Sequence, residues 1–205
     1  MKLIVISSPE PIAEEAQRIN ELFEAGLEYF HLRKPYFTPE EQRHLLQQLK
    51  PEHYAKIALH QHHELADMFA ITRLHFTETK RSMTTAEDLM KLQTAGYQLS
   101  TSVHEIASLQ RLTPCFSYTF FGPVFNSISK PDYTSKLADG FYLTAAEKPV
   151  QVIALGGIDA ENVAMIRSMN FDGAAILGSI WQQPEQAVTS YLKIKEKCQA
   201  LAPMY

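Results

Sequence analysis

A chain of 205 residues with 45% hydrophobic content fits one domain, residues 1–205, with ample apolar matter for a closed core. Its formal net charge of −4 gives no basic footprint for nucleic acid. Two distant cysteines, Cys115 and Cys198, show no metal or redox spacing and suit a reducing cytoplasm.

The apolar run from Leu3 to Ile6 is too short for a signal peptide or a membrane span. It reads as a buried first strand ended by Ser7-Ser8-Pro9, and the expectation is a cytoplasmic protein with no membrane partner. Ile12, Ala16, Ile19, Phe23 and Leu27 are spaced for one apolar helical stripe. Tyr29 to Leu32 reads as the second strand, ending at Arg33-Lys34-Pro35. Thr38-Pro39-Glu40-Glu41 then opens a helix, with a capping threonine, proline at the first position and acids in the first turn. Lys56 to His60 reads as a third strand, the segment to Phe69 as a short helix, and Arg73 to Phe76 as a fourth strand. A helix from about Thr85 to Ala95 stops at Gly96, before a fifth strand from Gln98 to Val103. Cys115 to Phe121 is the sixth, closed by Gly122-Pro123. A polar loop from Asn126 to about Gly140 and a weak helix before Pro149 follow; long loops inside compact domains are usually functional.

The stretch from Val152 to Trp181 is the most telling. Val152 to Leu155 runs into Gly156-Gly157, and Ala174 to Leu177 runs into Gly178-Ser179. Between them lies a helix with Asp159 as its cap and Val163, Ile166 and Met169 at core spacing. Strand, helix, strand makes the two strands parallel, so both glycine turns lie at C-terminal strand ends. Backbone N–H groups there, with a helix start beyond Ser179, make a cradle for a phosphate. The last helix begins near Pro184, with Ala187, Tyr191, Ile194, Cys198 and Leu201 on one face.

Eight strands alternating with helices predict an α/β fold, a compact single-domain (β/α)8 TIM barrel, short against the ~250 residues typical of such barrels. An open Rossmann-type sheet is disfavoured because no G-x-G-x-x-G follows the first strand. The barrel mouth would gather His31, Arg33, Lys34, His60, His75, Ser102, His104, Lys130 and the two glycine turns. Arginine and lysine beside phosphate-binding glycines suit a substrate with more than one phosphate group. His60, His62 and His63 have the look of ligand spacing, but His62 and His63 open a helix where side chains diverge, so no metal ligand is assigned.

Taken together, His31-Leu-Arg33-Lys34, Leu99 to His104, Phe121 to Phe125 with Ser127-Ile-Ser129-Lys130, Ala154 to Ile158 and Gly173 to Ser179 resemble the thiamin phosphate synthase and thiazole tautomerase superfamily. The resemblance implies a transferase of thiamin biosynthesis. It would join hydroxymethylpyrimidine diphosphate to thiazole phosphate and release diphosphate. By the same resemblance, Gly156, Gly157, Gly178 and Ser179 would hold the thiazole phosphate, with Ser127 and Ser129 where synthases carry Thr-x-Thr. Arg33, Ser102 and Lys130 would hold the pyrimidine diphosphate as the catalytic set, with His31, Lys34, His60 and His104 as further substrate contacts. The implied partners are small phosphorylated thiazole and pyrimidine molecules, and a homo-oligomer is left open.

Magnesium enters as a candidate cofactor by resemblance, with its ligands not matched. Synthases show Asn-Asp after strand three where this chain has His60-Gln61, and a second aspartate falls near Lys80, with Glu78 the nearest acid. After strand two, Gln-x-Arg-x-Lys becomes His31-Leu-Arg33-Lys34-Pro35. Two alternatives stand beside the synthase. One is a metal-free thiazole tautomerase, whose usual Gly-His-Val-Phe is Gly122-Pro123-Val124-Phe125 here, leaving His31, His60 or His104 as base. The other is a non-catalytic thiazole or pyrimidine phosphate-binding paralogue.

Overall fold

The computed structural model describes residues 1–126, 137–138 and 140–199. Eight parallel strands follow one another in chain order around a closed barrel: β1 (Lys2–Ile6), β2 (Phe30–Leu32), β3 (Ile57–Leu59), β4 (Arg73–Phe76), β5 (Gln98–Val103), β6 (Phe116–Phe121), β7 (Gln151–Leu155) and β8 (Gly173–Ile176). The ring closes where Lys2, Leu3, Ile4 and Val5 pair with Gly173, Ala174, Ala175 and Ile176. The expected (β/α)8 barrel is the fold found, and the open sheet is excluded.

Helices α1 (Glu15–Glu24), α2 (Pro39–Gln47), α3 (Glu78–Ser82), α4 (Ala86–Thr94), α5 (Ile106–Gln110), α6 (Val163–Ser168), α7 (Gly178–Trp181) and α8 (Ala187–Gln199) stand between and around the strands. Helix α2 starts where the residues ask it to. The Thr38 hydroxyl accepts from the Glu41 N–H at 3.2 Å, and the Glu41 carboxylate accepts from the Thr38 N–H at 2.7 Å, with Pro39 at the first position. The Asp159 carboxylate accepts from the N–H groups of Glu161 and Asn162, one turn before α6 itself begins.

Several connections differ from the sequence reading. The segment to Phe69 is two single 3₁₀ turns, His63–Leu65 and Asp67–Phe69, ended by Ala70 at φ 51°. Helices α3 and α5 are five residues each, too short to leave an apolar periodicity in the sequence. The weak helix before Pro149 is the 3₁₀ turn Ala145–Glu147, and most of the long loop before it lies outside the described residues. None of the described helices is long and apolar enough to cross a membrane.

Side chains alternate across the barrel wall, as the pleat requires. Val5, Phe30, Leu32, Leu74 and Phe76 face the helices and join the large outer core. Ile4, Ile6, Tyr118, Phe120, Ile153 and Ala175 fill one side of the interior. The opposite side is polar: His31, His75 and Ser100 are buried there. Trp181 of α7 donates its indole N–H to the carbonyl of Ile6 at 2.6 Å, tying the end of β1 to the turn after β8.

Candidate functional site

The parallel barrel brings all eight strand C-termini to one face. Leu155 of β7 pairs with Ala175 of β8, so the two glycine turns that follow them are neighbours. At the second, the Ser179 hydroxyl is buried and has no hydrogen-bond partner among the described residues. It sits in the first turn of α7. A buried hydroxyl without a partner is costly unless something arrives to bond it.

The first turn carries a second burden. Gly156 and Gly157 have φ of 103° and 65°. A Cβ on Gly157 would lie 2.2 Å from the carbonyl oxygen of Asn126, and one on Gly156 would lie 2.9 Å from Pro123. The loop after β6 packs directly on these glycines and is bonded to them, with the Phe125 N–H donating to Gly156 O at 3.1 Å. Their lack of side chains is therefore demanded by chain packing, whether or not a ligand also uses it.

On the β1–β3 side, Arg33 follows β2. Its backbone is clamped by the buried Ser7 hydroxyl, which accepts from Arg33 N–H at 2.8 Å and donates to Arg33 O at 3.0 Å. Among the described residues the Arg33 guanidinium has no hydrogen-bond partner, and its charge reaches His60 and His75. Lys34, expected beside it as a substrate contact, is elsewhere occupied. Its ammonium is buried 2.6 Å from a Glu15 carboxylate oxygen and donates to the carbonyl of Glu10 at 2.9 Å. Burial pushes the Lys34 ammonium down and the Glu15 carboxyl up, with their mutual contact opposing both shifts.

The β4–β5 side carries cations that the sequence reading left out of the site. Arg81 of α3 donates to the Thr101 hydroxyl and to the Ser102 carbonyl, each at 2.7 Å, and pairs with Glu78 at 3.5 Å. Lys80 lies 5.6 Å from the centre of the Phe76 ring, and partial burial lowers its affinity for its proton. The signal was the Thr77-Glu78-Thr79-Lys80-Arg81 run directly after a strand, where Thr77 caps α3. The Ser102 hydroxyl is bonded to His75 at 3.0 Å, and exposed His104 holds Gly122 O at 2.7 Å. Ser127, Ser129 and Lys130 lie outside the described residues.

Beneath the mouth is a cluster of imidazoles. His31, expected at the mouth, is 1% exposed inside the barrel, because it alternates inward between Phe30 and Leu32. Its Nδ1 is 2.8 Å from His60 Nε2, and its Nε2 is 2.6 Å from the Tyr118 hydroxyl. His75 stacks on His60 with ring centres 3.9 Å apart and bonds Ser100 through Nδ1 at 2.9 Å. His60 Nδ1 is buried with no partner among the described residues. Burial takes His31 down to about 3 and holds His60 and His75 well below the usual histidine range, so all three are neutral at pH 7. His62 and His63 turn away to carbonyls, His62 to Phe37 O at 2.7 Å and His63 to Leu59 O at 3.0 Å.

Magnesium asks for oxygen ligands in near-octahedral array. Among the described residues, the one group of three close metal-ligating side chains is His31, His60 and His75, all nitrogen donors. Glu78 is engaged with Arg81 and its side chain is half exposed. The described residues do not fit magnesium.

The chain matches the family model described as thiamine monophosphate synthase over residues 3–180. A thiamine-phosphate synthase of Anoxybacillus flavithermus is 28% identical over 110 residues, 48% of this chain and 50% of that protein. One from Rhizobium etli is 30% identical over 106 residues, 49% and 50% of the two chains. The match thus spans about half the length of these curated relatives. A crystal structure of thiamine phosphate pyrophosphorylase from Bacteroides thetaiotaomicron superposes over 99% of this chain and 100% of its own, with a TM-score of 0.77 and 25% identity. The thiamine phosphate pyrophosphorylase of Pyrococcus furiosus shares the fold at a TM-score of 0.73 and 14% identity, over 98% and 97% of the chains.

Proposed function

Because this chain belongs to the thiamine monophosphate synthase family, we propose that it joins hydroxymethylpyrimidine diphosphate to thiazole phosphate in the cytoplasm. One observation carries this reading: the buried Ser179 hydroxyl, without a partner among the described residues, beside the paired glycine turns, a seat for the thiazole phosphate. Phosphate oxygens would accept from that hydroxyl and from the backbone at the start of α7. Across the mouth, Arg33 meets the diphosphate with two parallel N–H groups, joined by Lys130 and Ser102 as the family resemblance implies.

The reaction breaks the bond from the pyrimidine methylene carbon to the diphosphate oxygen, and the electron pair leaves with diphosphate. The thiazole nitrogen lone pair then forms the new bond to that carbon. Negative charge grows on the leaving group in the transition state, so fixed cations aimed there lower the barrier. Arg33 supplies one, while Arg81 and Lys80 add positive potential from the ends of β4 and β5. No step is assigned to magnesium.

The test is an assay with both substrates, in added magnesium and in chelator, following diphosphate and thiamin phosphate together. Equal release of the two supports the transferase; release of neither overturns it. A second reading rests on His60, whose Nδ1 is without a partner among the described residues, while His31 uses both ring nitrogens and His104 is bonded to Gly122 O. Neutral His60 would be the base of a tautomerase. Aromatisation of the thiazole phosphate alone would select it. Tight binding of either substrate without turnover would leave a non-catalytic paralogue.

A further inference from the structure

Three neutral imidazoles meet under the mouth with no carboxylate in the group. One ring nitrogen from each of His31, His60 and His75 lies within 4.8 Å of the others, and all three side chains are buried. We propose that they form a site for a borderline-soft divalent cation such as zinc, cobalt or nickel, a nitrogen site in a barrel whose described residues do not fit magnesium. This inference stands apart from the substrate reading, since it needs only the metal to be tested.

The chemistry of the donors points that way. Imidazole suits zinc, cobalt and nickel, whereas magnesium prefers oxygen. Three protein ligands with a fourth position left over is the arrangement of a catalytic rather than a structural zinc. Metal-bound histidines characteristically have their other ring nitrogen held by a neighbour, which sets the tautomer and aims the ligating lone pair. Two of the three show this already. The Tyr118 hydroxyl holds His31 Nε2 and leaves Nδ1 facing His60; the Ser100 hydroxyl holds His75 Nδ1 and leaves Nε2, now on Ser102. In the third, His60, Nδ1 has no partner among the described residues.

One of the distances is near what an ion requires, while the widest nitrogen separation in the group, up to 4.8 Å, must close by about 1.5 Å. Two nitrogens on a tetrahedral zinc, each at ~2.0–2.1 Å, sit about 3.3 Å apart. His31 Nδ1 and His60 Nε2 are at 2.8 Å and share one proton. Binding opens that contact by about half an ångström. If His60 Nε2 is the ligand, its proton shifts to Nδ1 of the same ring, so the imidazole stays neutral. The stacked His60 and His75 rings, tilted 20° from each other, must open further for both lone pairs to face one ion. Arg33 lies near enough to repel a bare cation, so the fourth ligand is expected to be an anion, hydroxide or a phosphate oxygen.

Metal-free full-length protein is titrated with zinc, cobalt and magnesium by calorimetry, and the cobalt form is read by visible absorption. The expected result is one zinc per chain, a tetrahedral cobalt spectrum and no comparable magnesium binding. His60→Gln and His75→Gln should each weaken zinc at least a hundredfold, and Tyr118→Phe, which removes the hydroxyl that holds His31 and also meets Ser100 behind His75, about ten- to a hundredfold. His62→Gln and His104→Gln, on rings bonded elsewhere, should leave zinc affinity as it is. Zinc affinity that follows His62 or His104 instead, or the absence of a cobalt band in the wild type, overturns the site and leaves a closed hydrogen-bond network. The wild-type cobalt spectrum decides the matter even if a buried variant fails to fold.

Discussion

The ammonium of Lys34 and the carboxylate of Glu15 face each other at 2.6 Å inside the protein, joining the end of β2 to the first turn of α1. Both side chains are almost wholly shielded from water. A charge left alone there costs far more than the pair contributes.

Lys34→Met is therefore expected to lower stability by about 3–5 kcal/mol, while Lys34→Met with Glu15→Leu recovers most of it. Urea unfolding of both variants checks this. If the single variant unfolds like the wild type yet loses substrate affinity, Lys34 belongs to the binding site after all.

Ser179 and Gly157 separate ligand seat from chain packing. Ser179→Ala removes a buried hydroxyl that bonds nothing among the described residues, so thermal stability should hold or rise slightly. Affinity for thiazole phosphate should fall about ten- to a hundredfold, the ~1.5–3 kcal/mol of a hydrogen bond to a charged group. Gly157→Ala should behave oppositely, losing about 1–3 kcal/mol of stability through its left-handed backbone and the Asn126 carbonyl in its way. Calorimetric binding and melting on the two proteins distinguish the roles.

Arg33 and Arg81 differ in the same manner. Arg33→Ala breaks no bond among the described residues and should leave melting unchanged, with affinity for inorganic diphosphate down about ten- to a hundredfold. Arg81→Ala removes the bonds to Thr101 and Ser102 and should lower melting as well. Unaltered diphosphate binding in Arg33→Ala would take that residue out of the site.

Tyr191 of α8 gives a dependence on alkaline pH. Burial raises its hydroxyl to about 12, and the hydroxyl donates to Gly26 O at 3.0 Å. The unfolded chain loses this proton near pH ~10, the ordinary tyrosine value, and the folded chain only near 12. Stability linked to it is thus complete below the lower value and drains as pH rises through the upper one. Between them the folding constant should drop by roughly tenfold per pH unit relative to Tyr191→Phe, which carries no such proton. Parallel denaturation curves from pH 9 to 12 would refute the assignment.

The strands and their closure were legible because each is a short apolar run with a turn signal behind it, and because eight alternations leave few ways to pack. The pairing of the two glycine turns followed from that order. What escaped the sequence was direction. Histidines 31 and 75 each stand between two large apolar residues, a polar group on the inner face of a strand buried on both sides. Their place near strand ends predicts a position at the mouth; the pleat turns them into the barrel instead. Lys34 was misplaced for a related reason, since nothing local reveals that Glu15, nineteen positions earlier, would claim it. Arg81 needed α3, a helix too short to announce itself.

Ser7 never meets a ligand in any of these proposals, yet its hydroxyl grips both backbone polar groups of Arg33. The aim of the guanidinium is thus delegated to the residue just past the end of the adjoining strand β1. A lesion at position 7 would masquerade as a defect in recognition, and a screen for impaired variants would find it on the wrong side of the wall.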